Sequence, residues 1–326
     1  MSDNKLKQKH IVIYDRLWWI QGQRALLLKQ HHPDLEIMSY YDFLDLIKSR
    51  DANKINREYD VISTLGLWTA ERLIRRNVRV HASVAGSYSY ITMNQDNYRE
   101  WSNEIKPNYK YIKQVINKID RIGAVNPKLT RTIKKYYPNK QVDYIKPFVD
   151  TEKFKPLEVS EVDKSIFTIG WVGNSDKRSK NYHTVYQAIK HYFKNDPKVQ
   201  FKEATKNTRV DGKDMPKFYN SIDLLLVTGV NEGIPNPAME AYACGVPILG
   251  TNIGVIKECA SPNAKHLILN SNDPKIFIKK INALKSNKKN SQALKKELRK
   301  NMEDNWAIKH NINDWLRTLF NFKGDE

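Results

Sequence analysis

Short aliphatic and β-branched runs bounded by polar residues alternate along this chain with longer stretches whose apolar positions recur every three or four residues. HIVIYD (10–15) reads as a buried strand, RALLLKQHH after it as a helix, and LEIMSY as the next strand. The pattern continues with a helix around Tyr41–Lys48, the strand YDVISTLG, a helix near Thr69–Arg76 and the strand NVRVHASV. A helix near Tyr109–Lys118, RIGAVN, a helix near Leu129–Tyr136 and VDYIKPF follow. KPFVDTEKFKP (146–156), with two prolines and little periodicity, interrupts this rhythm and reads as a linker. SIFTIGWVG, VQFKEAT, DLLLVTG, VPILGTN and HLILN then restore it, and from Asn272 onward the pattern is helical. Ile308, Ile312, Trp315 and Leu319 fall at helical spacing and form one apolar face. Strands alternating with helices predict parallel sheets covered on both faces, and no solenoid-period repeat is present.

The 326 residues exceed what one core usually accommodates. The expected division is an N-terminal αβα domain over 1–147, a C-terminal αβα domain over 148–305, and a terminal helix in 306–326 that crosses back to the first domain. No apolar run approaches the roughly 18–20 residues that span a bilayer. The polar, basic start MSDNKLKQKH lacks a signal-peptide pattern, and Cys244 and Cys259 make neither a disulfide framework nor a metal-ligand pattern. These features are those of a cytoplasmic protein. Net charge is +19, with 26 basic against 16 acidic residues in 1–150 and 29 against 20 in 151–326. A field spread over both halves attracts polyanions such as an anionic membrane, an acidic glycolipid or nucleic acid. A lysine-rich surface without a partner is the alternative, and KSNKKNSQALKKELRK reads as a solvated helix surface.

Chemistry concentrates after DLLLVTG, in VNEGIPNPAMEAYACGVP. In an open parallel sheet, the loop leaving a strand's carboxyl end borders the ligand crevice. Asn236 is expected to cap the following helix and Pro237 to open it, leaving amides and a positive dipole end for an anion. Glu232 in the loop and Glu240 in the first helical turn can accept hydrogen bonds from vicinal hydroxyls.

FYNSIDLLLVTGVNEGIPNPAMEAYACGVPILGTNIGVIKE resembles the nucleotide-sugar site of GT-B glycosyltransferases, specifically retaining glycosyltransferase family 4. The resemblance rests on two glutamates separated by seven residues, Glu232 and Glu240, followed by Ala243-Cys244-Gly245-Val246-Pro247. It implies that Glu232 contacts the donor sugar near the reacting centre and Glu240 the ribose hydroxyls, with Gly233, Ile234, Pro235 and Asn236 lining the donor. It also implies an α/β chain of GT-B architecture, two Rossmann-like αβα domains facing across a cleft. A second similar stretch is GWVGNSDKRSKNYHTVYQAI. Gly173 ends its strand and Lys180-Asn181 matches the family's helix start. Asn174 stands where the family usually has arginine, and Lys177 or Arg178 is expected to replace that charge beside the diphosphate.

The first domain matches less closely and is short for the family. Its first loop, DRLWWIQGQR, offers Trp18 for stacking or packing, Gly22 as a close-approach glycine and Arg24 at a helix start facing an anion. The resemblance implies a cleft histidine near the end of NVRVHASV, which makes His81 a catalytic candidate beside a structural reading. Gly86 is expected to shape the acceptor pocket, and Asn126 and Lys128 to lie beside the cleft.

The reading that follows is a retaining glycosyltransferase, independent of metal and cofactor, taking a nucleotide-diphosphate sugar, most simply a UDP-sugar. The charge suggests an anionic envelope glycolipid or polymer as acceptor, reached at the inner membrane face. Modified bases of phage DNA are the runner-up acceptor. A nucleotide-sugar 2-epimerase or a non-catalytic nucleotide- or polyanion-binding protein are readings of other classes.

Overall fold

A computed structural model describes residues 8–94, 96–159, 163, 165–287 and 291–321. The start MSDNKLK and part of the lysine-rich stretch, residues 288–290, lie outside the described residues. The chain forms two compact units. The first contains residues 1–93, 107–146 and 311–326, and the second residues 94–106 and 147–310.

The first unit is built on a six-stranded parallel sheet of β1 (His10–Tyr14), β2 (Glu36–Ser39), β3 (Val61–Thr64), β4 (Val80–Ala85), β5 (Ile119–Ala124) and β6 (Gln141–Tyr144). Their order is β2-β1-β3-β4-β5-β6. The second holds β7 (Phe167–Val172), β8 (Val199–Ala204), β9 (Leu224–Val227), β10 (Ile248–Thr251) and β11 (Ile268–Leu269), in the parallel order β11-β10-β9-β7-β8. Both orders reverse beside their first strand, at β1/β3 and β7/β9, which is where an open doubly wound sheet leaves room for a ligand. The α/β class and the two Rossmann-like parallel sheets are as the alternating pattern anticipates. The helix Ala52–Glu58 carries too few apolar positions to announce itself and was not anticipated.

Central strands are buried on both faces, so they read as apolar runs. Ile11, Val12 and Ile13 are fully buried in β1, and Ile169, Leu225 and Ile248 in the second sheet. Around β7 pack Trp171, Tyr186, Phe277 and Ile281, each contributing on the order of 1.5–3 kcal/mol by leaving water. The helix Ile308–Phe320 buries Ile312, Trp315, Leu316 and Leu319. Its residues from Asn311 onward belong to the first unit. There Trp315 Nε1 donates to the Lys146 carbonyl at 2.8 Å and Ser63 Oγ to the Leu319 carbonyl at 2.6 Å. The linker is packed rather than loose: Phe148, Val149 and Phe154 are buried, and Arg299 donates to the carbonyls of Thr151 and Phe154. Among the described residues no helix is long and apolar enough to cross a membrane.

Candidate active site

At the β7/β9 reversal the loops leaving both strands are stitched together. The Val230 N–H donates to the Ser179 carbonyl at 2.8 Å, Thr228 Oγ1 to the Lys180 carbonyl at 2.8 Å, and Asn181 Nδ2 to the Thr228 carbonyl at 3.0 Å. Thr228 Oγ1 also accepts from Nε1 of the buried Trp171 at 3.2 Å, so the core fixes the loop carrying Lys180. Behind it, Glu203 accepts from Tyr182 at 2.7 Å, Tyr186 at 3.0 Å and Lys190 at 2.6 Å. Burial and Glu203 push the Tyr182 phenol up to about 12, so it remains a donor at neutral pH.

This scaffold brings Lys180 and Glu232 together as a hydrogen-bonded ion pair, Nζ to Oε2, with side chains only 22% and 13% exposed. Burial opposes ionisation of Glu232. The charges of Lys180 and Lys177, the Lys180 hydrogen bond and the Gly233 N–H together outweigh it and hold the carboxyl below its ordinary value. Lys177 is thus the cation whose field reaches Glu232, whereas Arg178 is exposed to solvent. Asn174, also exposed, accepts the Asp176 N–H at 3.0 Å and closes the turn after β7. Gly173 enters that turn with φ +157°. A small recess lined by Lys180, Thr228, Gly229, Pro235, Pro237 and Ile253 lies under the two loops.

The second glutamate stands on the helix Asn236–Ala243. Three local expectations are corrected there. Pro235, not Asn236, is the residue before the helix, and Asn236 is the first helical residue; its Nδ2 donates to the Ile234 carbonyl at 3.3 Å. The amides of Ala238 and Met239 donate to the Pro235 carbonyl at 2.9 and 3.2 Å, so they close the turn rather than await an anion. Glu240 is the fifth helical residue, past the first turn. It accepts from the hydroxyl of fully buried Tyr219 at 2.7 Å, and burial together with Glu240 raises the Cys244 thiol to about 12.

Several first-unit expectations change. His81 is the second residue of β4, not its end, and its Nδ1 accepts the Ile62 N–H at 3.0 Å. Burial, then Arg79, lowers its pKa below the usual histidine value. Three residues of β4, Ala82, Ser83 and Val84, separate it from Ala85 at the strand's carboxyl end, the end that borders the ligand crevice of an open parallel sheet. Arg24 does not open its helix, which runs Ile20–His31; it is 7% exposed, with its guanidinium 5.2 Å from the Trp315 ring. Gly22 is a close-approach glycine, but toward its own chain: a Cβ there would lie 2.5 Å from the Arg16 carbonyl oxygen and Leu17 Cα. Trp18 and Trp19 are exposed after β1, with the Arg16 guanidinium 5.2 and 5.6 Å from their rings. Gly86 is open to solvent after β4, and buried Asn126 caps the helix Pro127–Tyr136 by accepting the Leu129 N–H at 2.7 Å.

Sequence reasoning missed three contributors. Tyr219 lies in the quoted FYNS, ordinary in composition. Gly254 has φ +55°, and a Cβ on it would meet Pro235 Cδ at 2.8 Å and the Gly233 carbonyl oxygen at 2.9 Å. Glu100 comes from the 94–106 segment, where nothing in the sequence links it to a loop 132 positions away.

Residues 205–302 match the family described as glycosyl transferases group 1. A D-inositol 3-phosphate glycosyltransferase of Salinispora arenicola is 27% identical over 73 residues, which cover 22% of this chain and 16% of that protein. The chain therefore matches less than a fifth of that relative's length. Among solved structures, sucrose-phosphate synthase from Thermosynechococcus elongatus superposes with a TM-score of 0.70 at 11% identity, covering 96% of this chain and all of that one. The Anabaena HepE protein in complex with UDP-glucose gives 0.69 at 12% identity, again over 96% of this chain and all of the other. At such identities the likeness concerns the fold. Residues 205–302 thus match a glycosyl transferases group 1 domain, within a chain whose two Rossmann-like units share the fold of these solved structures.

Proposed function

We propose that this chain is a retaining, nucleotide-sugar-dependent glycosyltransferase whose donor site lies at the β7/β9 reversal. The observation that carries the reading is the Lys180–Glu232 pair, with Glu240 presented nearby on the helix of the same loop. A partly buried carboxylate held ionised against a lysine suits a site that handles both a diphosphate and a developing positive carbon.

In this reading Lys180, helped by Lys177, offsets the charge that grows on the departing diphosphate. Glu232 orients the sugar and stabilises positive character at its reacting carbon. Glu240, fixed by Tyr219, receives the ribose hydroxyls. The acceptor hydroxyl attacks on the face the diphosphate leaves, and a diphosphate oxygen takes its proton. No residue of this scheme requires a metal. The HepE likeness, with UDP-glucose in that protein's site, makes a UDP-sugar the first donor to try.

For the acceptor, the +19 charge spread over both halves supports an anionic envelope glycolipid or polymer met at the inner face of the membrane. The test is a calorimetric panel of nucleotide sugars, then turnover of the bound donor with candidate acceptors. Binding of a UDP-sugar, and UDP release that requires an anionic glycan, support the reading. Conversion of donor to an epimer without acceptor overturns it in favour of an isomerase. Duplex DNA binding that weakens steeply with salt redirects the acceptor to nucleic acid.

A further inference from the structure

Residues 94–106 belong to the second unit, although the chain on either side of them builds the first. Their attachment is specific. The Glu100 N–H donates to the Val230 carbonyl at 2.9 Å, and Asn231 Nδ2 donates to the carbonyl of fully buried Tyr98 at 2.8 Å. Glu100 itself is 5% exposed. Its Oε2 accepts the Gly254 N–H at 3.0 Å and the Glu232 N–H at 3.3 Å. One carboxylate oxygen therefore ties the loop after β9 to the loop after β10.

The tie falls where the two loops are closest. Gly254 lies so near Glu232 and Gly233 that a Cβ would be 2.9 Å from the Gly233 carbonyl oxygen and 3.3 Å from that of Glu232. One acceptor placed between two amides this close serves both, and an N–H partly withdrawn from water costs free energy if left unpaired. A carboxylate accepts both donors more strongly than a neutral oxygen. Burying a carboxylate for packing alone is unfavourable, which argues for a role tied to the loops it joins.

We propose that Glu100 is a positioning residue for the donor loop. It fixes the backbone of Glu232, and so the place of the Glu232 carboxylate against the sugar. This rests on the donor-site reading above and deepens it: the 94–106 segment is part of the site's machinery rather than a surface loop. The role predicts a split. Contacts to the sugar depend on Glu100, whereas contacts to the nucleotide, made by Lys180 and Glu240, do not.

The experiment compares Glu100→Ala, Glu100→Asp and Glu100→Gln with the unmodified chain, measuring affinity for UDP and for UDP-glucose by calorimetry. Amide hydrogen exchange of the peptide spanning 230–256 is read in the same proteins. Glu100→Ala is expected to lose about tenfold of the affinity that the glucosyl group adds over UDP, with UDP affinity unchanged and faster exchange in 230–256. Glu100→Asp, which withdraws the carboxylate by one methylene, should behave similarly. Glu100→Gln, which keeps an acceptor oxygen in place, should recover most of the increment. Equal losses for UDP and UDP-glucose, or unchanged exchange, overturn the proposal. If Glu100→Ala fails to fold, Glu100→Asp decides between the same outcomes. If the unmodified chain binds neither ligand, the donor reading fails, and exchange in 230–256 still decides whether Glu100 holds the loop.

Discussion

Tyr219 donates its hydroxyl to Glu240 at 2.7 Å from a fully buried ring, so the second glutamate of the loop is held from beneath by a residue 21 positions earlier. Burial, reinforced by Glu240, raises the phenol well above its usual range, so the bond persists at any neutral or mildly alkaline pH. Tyr219→Phe should cost about 1 kcal/mol in denaturant unfolding. It should also weaken UDP more than 2′-deoxy-UDP in titration calorimetry. Equal weakening of the two nucleotides would detach Glu240 from the ribose.

Lys180→Met removes the cation hydrogen-bonded to Glu232 and leaves a mostly buried carboxylate beside Lys177 and the Gly233 N–H. UDP affinity should fall by about tenfold or more, the value of a charge-assisted contact of roughly 1.5–3 kcal/mol. Arg178→Met, at an exposed position, should change it little. Comparable losses in both variants would show that the diphosphate is read by the wider basic loop.

The Glu232 carboxyl is held below its ordinary value of 4.5, so its folded form binds a proton less readily than its unfolded form. Its contribution to stability is therefore fully present above pH 4.5 and drains away as pH falls through the lower folded value. Guanidinium unfolding measured from pH 7 to pH 3 should fall more steeply for the unmodified chain than for Glu232→Gln. Parallel curves would mean that Lys180 and its neighbours do not favour the ionised form.

Gly254→Ala sets a Cβ at φ +55° against Pro235 Cδ and the Gly233 carbonyl. Strain at such a position costs on the order of 1–3 kcal/mol, and the donor loop must shift to relieve it. The expectation is a lowered melting temperature together with weakened UDP-glucose binding, read by calorimetry and scanning fluorimetry. A variant that melts lower yet binds normally would separate the loop's stability from its function.

His81→Ala leaves the Ile62 amide in β3 without its imidazole acceptor. Stability should drop by about 1–3 kcal/mol while turnover per folded molecule stays constant. A loss of kcat exceeding the unfolded fraction would restore His81 to the chemistry.

The alternation of apolar runs with helical periodicity determined both parallel sheets, because which residues face a core is encoded at periods of two to four positions. Glu232 and Glu240 were legible for a related reason: one loop and one helix carry both, so their spacing is local. The pattern in NVRVHASV showed a strand but not which of its residues begins it, and so misplaced His81. Pairing between loops obeys no local rule. Lys180 meets Glu232 across 52 positions, and Glu100 reaches the Glu232 amide across 132. Which of three neighbouring cations faces the glutamate, and which distant carboxylate holds its backbone, followed only from how β7, β9 and β10 lie side by side. Side-chain chemistry can be read from composition, but the electrostatic partner of a buried charge is fixed by the packing that excludes water around it.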